Sequence, residues 1–112
     1  MKRTPKLFLE HIIESINLIE TYIQDSTKEK FLESVQLQDM IIRRLEIIGE
    51  AVKNLPGDLK KKHNDVPWKR IAGMRDKLIH EYFGVDFKLT WQVVEKELPV
   101  FKKRVLEILE ET

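Results

Sequence analysis

The residues with the clearest chemical potential form one short segment, Arg75-Asp76-Lys77-Leu78-Ile79-His80-Glu81-Tyr82. Histidine can accept or donate a proton near neutral pH. Arginine can bind phosphate oxygens through a planar, bidentate guanidinium. RNA carries its own nucleophile, the 2′-hydroxyl, beside each phosphate. Arg75 and His80 could therefore cleave a phosphodiester of RNA without a metal ion, with Arg75 stabilising the charge that develops on phosphorus.

Arg75 and His80 could also serve a structural role or belong to a metal site. The structural role is open because an arginine is often paired with an acid across a bundle and a lone histidine often belongs to a core or a surface. The sequence serves a metal site poorly. Its histidines, His11, His63 and His80, lie far apart without HxxxH or HExxH spacing, and cysteine is absent. We expect no metal and no other cofactor.

Pro67 and Gly84 bound the segment and predict one helix with a start and a stop signal. At about 100° per residue, one side of that helix would carry Ile71, Arg75, Leu78, Ile79 and Tyr82. Arg75 would then lie inside an apolar stripe, where it must be paired, solvated by a cleft or covered by a partner.

The same helix would place Asp76 one turn before His80, where its carboxylate could hold the imidazole in one tautomer. Arg75 and His80 would point about 140° apart. One straight helix would therefore not direct both side chains at one phosphate, whereas two such helices facing each other in a symmetric dimer could build a composite site.

The first half of the chain predicts two helical regions. One runs from Pro5 to about Gln24, with Thr4 as its cap. The other begins at a capping box, Ser26-Thr27-Lys28-Glu29, and either continues to Asn54 or breaks near Ser34. Its expected buried stripe is Leu37, Ile41, Leu45, Ile48 and Val52.

The opposite side of the long helix is polar, with Asp39, Arg43, Glu46 and Glu50. This stripe is either a solvated face with ion pairs, or a set of which some acids pair with Arg75 or line a cleft. Arg44 falls on the apolar side and serves either the site or a buried ion pair. Gly49 costs the helix about 1 kcal/mol relative to alanine, and a close helix–helix approach would explain it.

The second half of the chain also predicts helices. Leu55-Pro56-Gly57 ends the long helix, Asp86 can cap a later one, and Pro99 marks a kink or a new start near Glu97. A basic cluster is either a solubilising loop or a phosphate-attracting patch, and it consists of Lys60, Lys61, Lys62, Lys69 and Arg70. No alternating strand pattern occurs. We therefore predict one all-α domain over residues 1–112, an up-and-down bundle of four or five helices.

Composition restricts how the protein could contact RNA and in which compartment it is expected. The 112 residues are 42% hydrophobic and 35% charged, with a net charge of only +1, so any contact with RNA must come from a local patch. The absence of cysteine fits a reducing compartment, and we expect a cytoplasmic protein. Glu10, His11 and Glu14 interrupt the first apolar residues, which predicts neither a signal peptide nor a membrane span.

The segment around Arg75 resembles the R-x4-H-x-Y motif of HepT-type proteins in the HEPN superfamily. The flanking residues are similar too: 67–74 read Pro-Trp-Lys-Arg-Ile-Ala-Gly-Met, 83–86 read Phe-Gly-Val-Asp, and 42–51 read Ile-Arg-Arg-Leu-Glu-Ile-Ile-Gly-Glu-Ala. The resemblance covers nearly the whole chain. It implies a helical bundle that forms a homodimer through the two motif helices.

The resemblance also implies a function, that of a metal-independent endoribonuclease toxin. Its partner would be a nucleotidyltransferase antitoxin, in a pair of type VII. Arg75 and His80 would be catalytic, Asp76 would orient them, and Tyr82 would receive AMP from the antitoxin. The alternatives are a non-catalytic dimer that binds a nucleotide or a nucleotidyltransferase, and a structural dimerisation domain.

Overall fold

The protein is described by a computed structural model over residues 4–80 and 84–112, with His80 described by its backbone alone. The structure of these residues confirms the all-α class, but they form more and shorter helices than the predicted four or five. The α-helices are α1 (Pro5–Ile23), α2 (Lys28–Glu33), α3 (Val35–Lys53), α4 (Gly57–Lys62), α5 (Trp68–Ala72), α6 (Met74–Leu78), α7 (Phe87–Gln92) and α8 (Leu98–Glu111). A π-helical turn, Val93–Glu97, joins α7 to α8, and two short strands, β1 (Ile79–His80) and β2 (Gly84–Val85), follow α6.

Hydroxyl side chains cap the first three helices. The hydroxyl oxygen of Thr4 accepts a hydrogen bond from the Leu7 amide at 3.3 Å, as predicted. The cap of α2 is Thr27, whose hydroxyl oxygen accepts from the Lys30 amide at 3.2 Å, so the predicted capping box is wrong by one residue. Of the two predicted alternatives, a helix continuing to Asn54 and a break near Ser34, the break is confirmed. Ser34 has extended dihedrals, and its hydroxyl oxygen accepts from the Leu37 amide at 3.1 Å.

The core lies where α1 packs against α3 and α8. The predicted stripe of α3 is buried except for Leu37, which is half-buried at its edge. The largest completely buried side chains of the three helices are Leu9, Ile12, Ile16, Ile19, Ile41, Ile48, Val52, Val105 and Ile108. Burial of such side chains contributes about 1.5–3 kcal/mol each, so this part of the molecule is the rigid support for the rest.

Gly49 sits where α5 approaches α3, and the predicted close helix–helix approach is confirmed. A Cβ atom at Gly49 would lie 3.3 Å from the carbonyl oxygen of Ala72 and 3.4 Å from that of Ile71. Only a residue without a side chain lets the backbone of α5 rest directly on α3 at this distance. This contact places α5 and α6 beside the polar side of α3.

Pro99 was predicted to mark either a kink or a new helix start near Glu97. The structure has the second alternative, because α8 begins at Leu98. Pro99 lies in the first turn of α8, where a missing amide hydrogen costs least. The wider π-helical turn immediately before it accommodates the proline ring, and Glu97 keeps helical dihedrals of φ −85° and ψ −42°. At the start of α7, the predicted cap is confirmed, since an Asp86 carboxylate oxygen accepts from the Leu89 amide at 3.0 Å.

The prediction of one helix between Pro67 and Gly84 is wrong. Gly73, with φ −90° and ψ 9°, separates α5 from α6, and α6 ends at Leu78 because Ile79 adopts extended dihedrals. Residues 79–80 then pair antiparallel with residues 84–85, and Gly84 has a φ of +74° that favours glycine. A pair of two-residue strands is too short to give an alternating pattern, and for that reason the sequence showed no strand.

Within residues 4–80 and 84–112, none of the helices combines the length and the apolar character that crossing a membrane requires.

Candidate active site

Arg75 forms an ion pair with an acid of the polar stripe on α3. Its Nε atom lies 3.5 Å from Oε2 of Glu46, and its Nη1 atom lies 3.9 Å from Oδ1 of Asp76. The Arg75 side chain is 59% exposed and that of Asp76 is 85% exposed. The prediction that an acid of this stripe pairs with Arg75 is therefore confirmed for Glu46.

The predicted position of Arg75 within an apolar stripe is wrong. The buried side chains on this stretch are Ile71, Met74 and Leu78, spaced by three and then four residues. Met74 therefore occupies the inward position, three residues after Ile71, instead of Arg75. Arg75 consequently points outward, where its guanidinium is both paired and accessible.

Arg75 and Glu46 lie on a cleft of about 480 Å³ between α1, α3 and the α5–α6 segment. Glu46 and Glu50 of the polar stripe line it, so the alternative that some of these acids line a cleft is confirmed for both, and Arg43 of the same stripe lines it as well. The remaining lining residues are Phe8, His11, Leu45, Ile47, Gly49, Ala51, Lys53, Asn54, Ala72 and Arg75. The cleft thus brings together three cationic side chains, two carboxylates and an imidazole on an apolar floor.

His11 is a member of this cleft that sequence analysis missed. The sequence had placed it only among three histidines whose spacing does not favour a metal site. His11 is half-buried on α1 and stands three residues after Phe8, which also lines the cleft. Residues three apart share one face of a helix, so the position of His11 beside an apolar residue that faces α3 was the available signal. Arg44, in contrast, is half-buried and does not line the cleft.

His80 and Tyr82 are only partly within the described structure. The backbone of His80 pairs with Gly84 directly after α6, whereas its side chain and the whole of Tyr82 lie outside the described residues. Because α6 ends at Leu78, Asp76 and His80 do not share a helix. The predicted one-helix geometry is therefore wrong for this pair, and the roles of Asp76, His80 and Tyr82 remain predictions.

The other two paired arginines of this half of the molecule have a different geometry. Arg104 donates to both carboxylate oxygens of Asp65, at 2.7 and 3.1 Å, and to Glu107 at 3.0 Å. The hydrogen bonds from Arg104 lower the pKa of the Asp65 carboxyl group. Arg70 donates to both carboxylate oxygens of Glu97, at 2.7 and 2.8 Å, and these hydrogen bonds raise the pKa of its guanidinium. Both arginines thus fasten one element to another.

The predicted basic cluster is divided by the fold. Lys60, Lys61, Lys69 and Arg70 line one shallow groove, whereas Lys62 lies 3.8 Å from Glu111 at a different depression. As for metal ions, the described part of the chain contains no group of three or more histidine, cysteine, aspartate or glutamate side chains arranged to hold one.

Comparisons with known proteins agree with the resemblance seen in the sequence. The family model described as "Ribonuclease HepT-like" matches residues 12–108. A protein of Methanocaldococcus jannaschii named "Gamma-glutamylcyclotransferase and putative RNase" is 54% identical over 99% of this chain, which spans only 50% of that relative's length. A "Probable ribonuclease HepT" of Thermococcus cleftensis is 49% identical over 91% of this chain and 93% of its own.

No solved structure matches the chain. The family match covers the Arg75–Glu46 ion pair, the whole motif segment and the cleft residues from α3 onward, whereas Phe8 and His11 precede it. The chain belongs to the HepT-like ribonuclease family.

Proposed function

We propose that this HepT-like ribonuclease cleaves RNA internally, without a metal ion, at the cleft that carries Arg75. The observation that supports this function is that the Arg75 guanidinium is paired and also accessible. Its Nε atom lies 3.5 Å from Oε2 of Glu46, yet the Arg75 side chain is 59% exposed at the edge of the cleft. A fixed cation that remains accessible can bind a non-bridging phosphate oxygen and stabilise the negative charge that grows there in the transition state.

His80 supplies the proton transfer. The 2′-hydroxyl loses its proton as its oxygen attacks the adjacent phosphorus, the bond to the 5′-oxygen of the next nucleotide breaks, and that oxygen gains a proton. His80 serves as the base at the 2′-hydroxyl or as the acid at the leaving oxygen. The products are a 2′,3′-cyclic phosphate and a 5′-hydroxyl. A homodimer would bring a second copy of each residue to a composite site, where the two proton transfers can be divided.

Glu46 and Asp76 act on Arg75 rather than on the substrate. Glu46 approaches Nε and Asp76 approaches Nη1 of the guanidinium. A guanidinium has five N–H donors, so these longer contacts favour one orientation of the guanidinium and leave its donors for phosphate. Both acids are thus positioning residues in this proposal.

The enzyme would act as a toxin that a nucleotidyltransferase antitoxin controls through Tyr82. In that reaction, the phenol oxygen of Tyr82 attacks the α-phosphate of ATP, pyrophosphate leaves, and AMP remains on the tyrosine as a phosphodiester. Tyr82 stands two residues after His80 and seven after Arg75. The added phosphate is a negative charge that competes with substrate phosphate for Arg75.

A non-catalytic role in nucleotide binding is the second candidate, and one observation favours it. The cleft of about 480 Å³ lies in the range of small-molecule pockets, and it offers both cations for phosphates and carboxylates for hydroxyl groups. In that case the protein would bind a nucleotide at the cleft and leave RNA intact.

The chemistry of the product ends tests the proposal. We expect RNA incubated with the protein in EDTA to give 2′,3′-cyclic phosphate and 5′-hydroxyl ends. An RNA with a single 2′-deoxynucleotide on the 5′ side of the cut should resist cleavage there, because the nucleophile is missing. Ends of the 3′-hydroxyl and 5′-phosphate type, or cutting at the deoxy position, would overturn the mechanism.

The control by an antitoxin needs a separate experiment. The protein is incubated with ATP and a nucleotidyltransferase encoded beside its gene, and mass spectrometry locates the modification. We expect one adenylyl group on Tyr82 and loss of RNA cleavage, both abolished in Tyr82→Phe. Modification elsewhere, or full cleavage by the modified protein, would contradict this regulation.

A further inference from the structure

A second charged feature lies outside the cleft, in the connection between α4 and α5. It is a shallow, open groove of about 450 Å³, which we name the lysine groove. Lys60 and Lys61 of α4 line it together with Lys69 and Arg70 of α5. Its remaining lining residues are Asn64, Val66, Pro67 and Trp68. The four cations come from two helices that are separated in sequence by the segment 63–67, so the fold and not the sequence alone assembles this surface.

Three of the four cations are available to a ligand. Arg70 is occupied by two hydrogen bonds to Glu97. In contrast, no carboxylate within residues 4–80 and 84–112 lies within 4.0 Å of the ammonium groups of Lys60, Lys61 or Lys69. Lys61 and Lys69 are exposed and Lys60 is half-buried. The groove therefore has a positive charge that the neighbouring part of the protein does not neutralise.

The aromatic residue of the groove does not provide a stacking surface. Trp68 is only 6% exposed, and its indole N–H donates to the carbonyl oxygen of His63 at 2.9 Å. Its ring packs edge-to-face against Phe101 at 5.9 Å. Base recognition in single-stranded nucleic acid needs an accessible aromatic face. The chemistry that fits this groove is thus attraction of phosphates by flexible ammonium groups.

The lysine groove adjoins the cleft across one short helix. Lys69 stands three residues before Ala72, which lines the cleft, and positions three apart are neighbours on a helix. Arg75 is the second residue of α6, which begins directly after Gly73. A strand that leaves the cleft over α5 thus meets Lys69 first and then the lysines of α4.

We propose that the lysine groove binds the sugar–phosphate backbone of the RNA strand as it extends from the cleft. The inference rests on the proposed function, because it takes the cleft as the place of cleavage. The groove increases the affinity for RNA without reading its sequence, since it contacts phosphates only. Three phosphate contacts to a single strand correspond to a slope of about −2 in the logarithm of affinity against the logarithm of salt concentration.

The test removes these charges and compares the result with an equal change elsewhere. The variant is Lys60→Gln/Lys61→Gln/Lys69→Gln. The matched control is Lys28→Gln/Lys88→Gln/Lys96→Gln, which neutralises three exposed lysines around a separate depression that also contains Asp86 and Glu95. Both variants change the net charge by the same amount, and five of the six lysines are exposed while Lys60 is half-buried, so thermal melts of both variants check that folding is retained.

Two readouts are measured for the wild type and both variants. The first is the affinity for a fully 2′-deoxy-substituted strand, which cannot be cleaved, between 50 mM and 200 mM salt. The second is kcat and KM for the corresponding RNA. We expect the groove variant to bind roughly tenfold or more weakly at moderate salt, to lose about 2 units of salt slope, and to raise KM with little change in kcat. The control variant should resemble the wild type.

The outcomes separate this inference from the proposed function. If the wild type cleaves RNA and the groove variant has the same KM and salt slope as the wild type, the lysine groove does not bind the RNA strand. The nuclease proposal would still stand. Equal losses in the two variants would also overturn this inference, because net charge alone would explain them. If the wild type binds the strand through the groove lysines but cleaves no RNA, the proposed function fails and the binding site remains.

Discussion

Arg104 and Arg75 show two ways in which this protein uses an arginine. Arg104 makes hydrogen bonds to Asp65 and Glu107 of 2.7 to 3.1 Å, and its side chain is 27% exposed. Arg75 has carboxylates at 3.5 and 3.9 Å, and its side chain is 59% exposed. Both have acidic partners, but only Arg104 has its donors occupied at hydrogen-bond distance within the described part of the chain.

The difference separates a structural from a functional role. A guanidinium whose donors are already used cannot bind a phosphate without losing its partners. One that is oriented by longer contacts can accept a phosphate at little cost, and the fixed orientation is what transition-state stabilisation requires. Arg104 joins the segment before α5 to α8, whereas Arg75 stands at the edge of a cleft.

Replacing each arginine in turn tests whether Arg75 is functional and Arg104 is structural. We expect Arg75→Ala to reduce the rate of RNA cleavage by about 10²–10³-fold or more, with little change in Tm, because its side chain is largely exposed. Arg104→Ala should do the reverse, with a lower Tm and nearly unchanged cleavage at a temperature where it is folded. Single-turnover kinetics and thermal melts of both variants measure this. A cleavage defect of equal size in the two folded variants would contradict the distinction.

The contact between α3 and α5 carries the next largest effect. Gly49→Val should lower the free energy of unfolding by about 1–3 kcal/mol through overpacking, because its side chain would meet the backbone carbonyls of Ile71 and Ala72. Gly57→Ala is the matched control, since a Cβ atom there has nothing within 4 Å. Urea denaturation of both variants measures the difference.

Gly49→Val and Gly57→Ala also test whether the contact between α3 and α5 supports RNA cleavage. Because α5 leads into α6, a displacement of α5 by Gly49→Val should move Arg75 away from Glu46 and reduce cleavage as well. Gly57→Ala should leave cleavage unchanged. A Gly49→Val protein as stable and as active as the wild type would show that α5 does not depend on this contact.

A smaller effect is expected for the acid that holds Arg75. Glu46→Gln should reduce kcat by about tenfold, the loss of a contact worth roughly 1.4 kcal/mol, without a large rise in KM, because Glu46 acts on Arg75 and not on the substrate. Glu50→Gln is the control, since Glu50 lines the same cleft without an ion pair to Arg75 in the described residues. Equal effects in the two variants would show that Glu46 contributes only to the general charge of the cleft.

The smallest expected effect is on the stability of the protein, through the ion pair of Asp65 with Arg104. The pKa of Asp65 is lowered in the folded protein by hydrogen bonds from Arg104. A lowered folded pKa gives stability that is present above the unfolded pKa, about 3.9, and is lost as the pH falls through the folded value. Asp65→Asn should therefore be slightly less stable than the wild type at pH 7, and the difference should vanish on acidification below this range. Urea midpoints across pH test this, and a constant difference would contradict it.

Much of the fold was readable in the sequence because its signals are local. Thr4 and Asp86 cap helices through hydrogen bonds to residues three positions away, and the apolar stripe of α3 follows directly from helical spacing. Gly49 was recognisable as a packing residue because a glycine in the middle of a helix is costly without a reason. The family was likewise readable from the order of residues around Arg75.

The site itself was less predictable, since it depends on a break that the sequence marks only weakly. Gly73 separates α5 from α6, and the extended Ile79 ends α6. A single glycine inside a helical pattern is often tolerated, so the helical positions of Arg75 and of the residues after Leu78 were wrong. His11 joins the cleft through the packing of α1 on α3, a long-range contact that no local pattern contains.

RNA cleavage in EDTA by the purified protein, with Tyr82 shown by mass spectrometry to be unmodified, tests whether Arg75 and His80 are catalytic residues. The wild type is measured beside Arg75→Ala and His80→Ala, and all three are checked for folding and for oligomeric state. We expect the wild type to cut RNA and both variants to fail while they remain folded. An unmodified wild type that cuts several RNAs no better than the variants would contradict the assignment of Arg75 and His80 as catalytic residues.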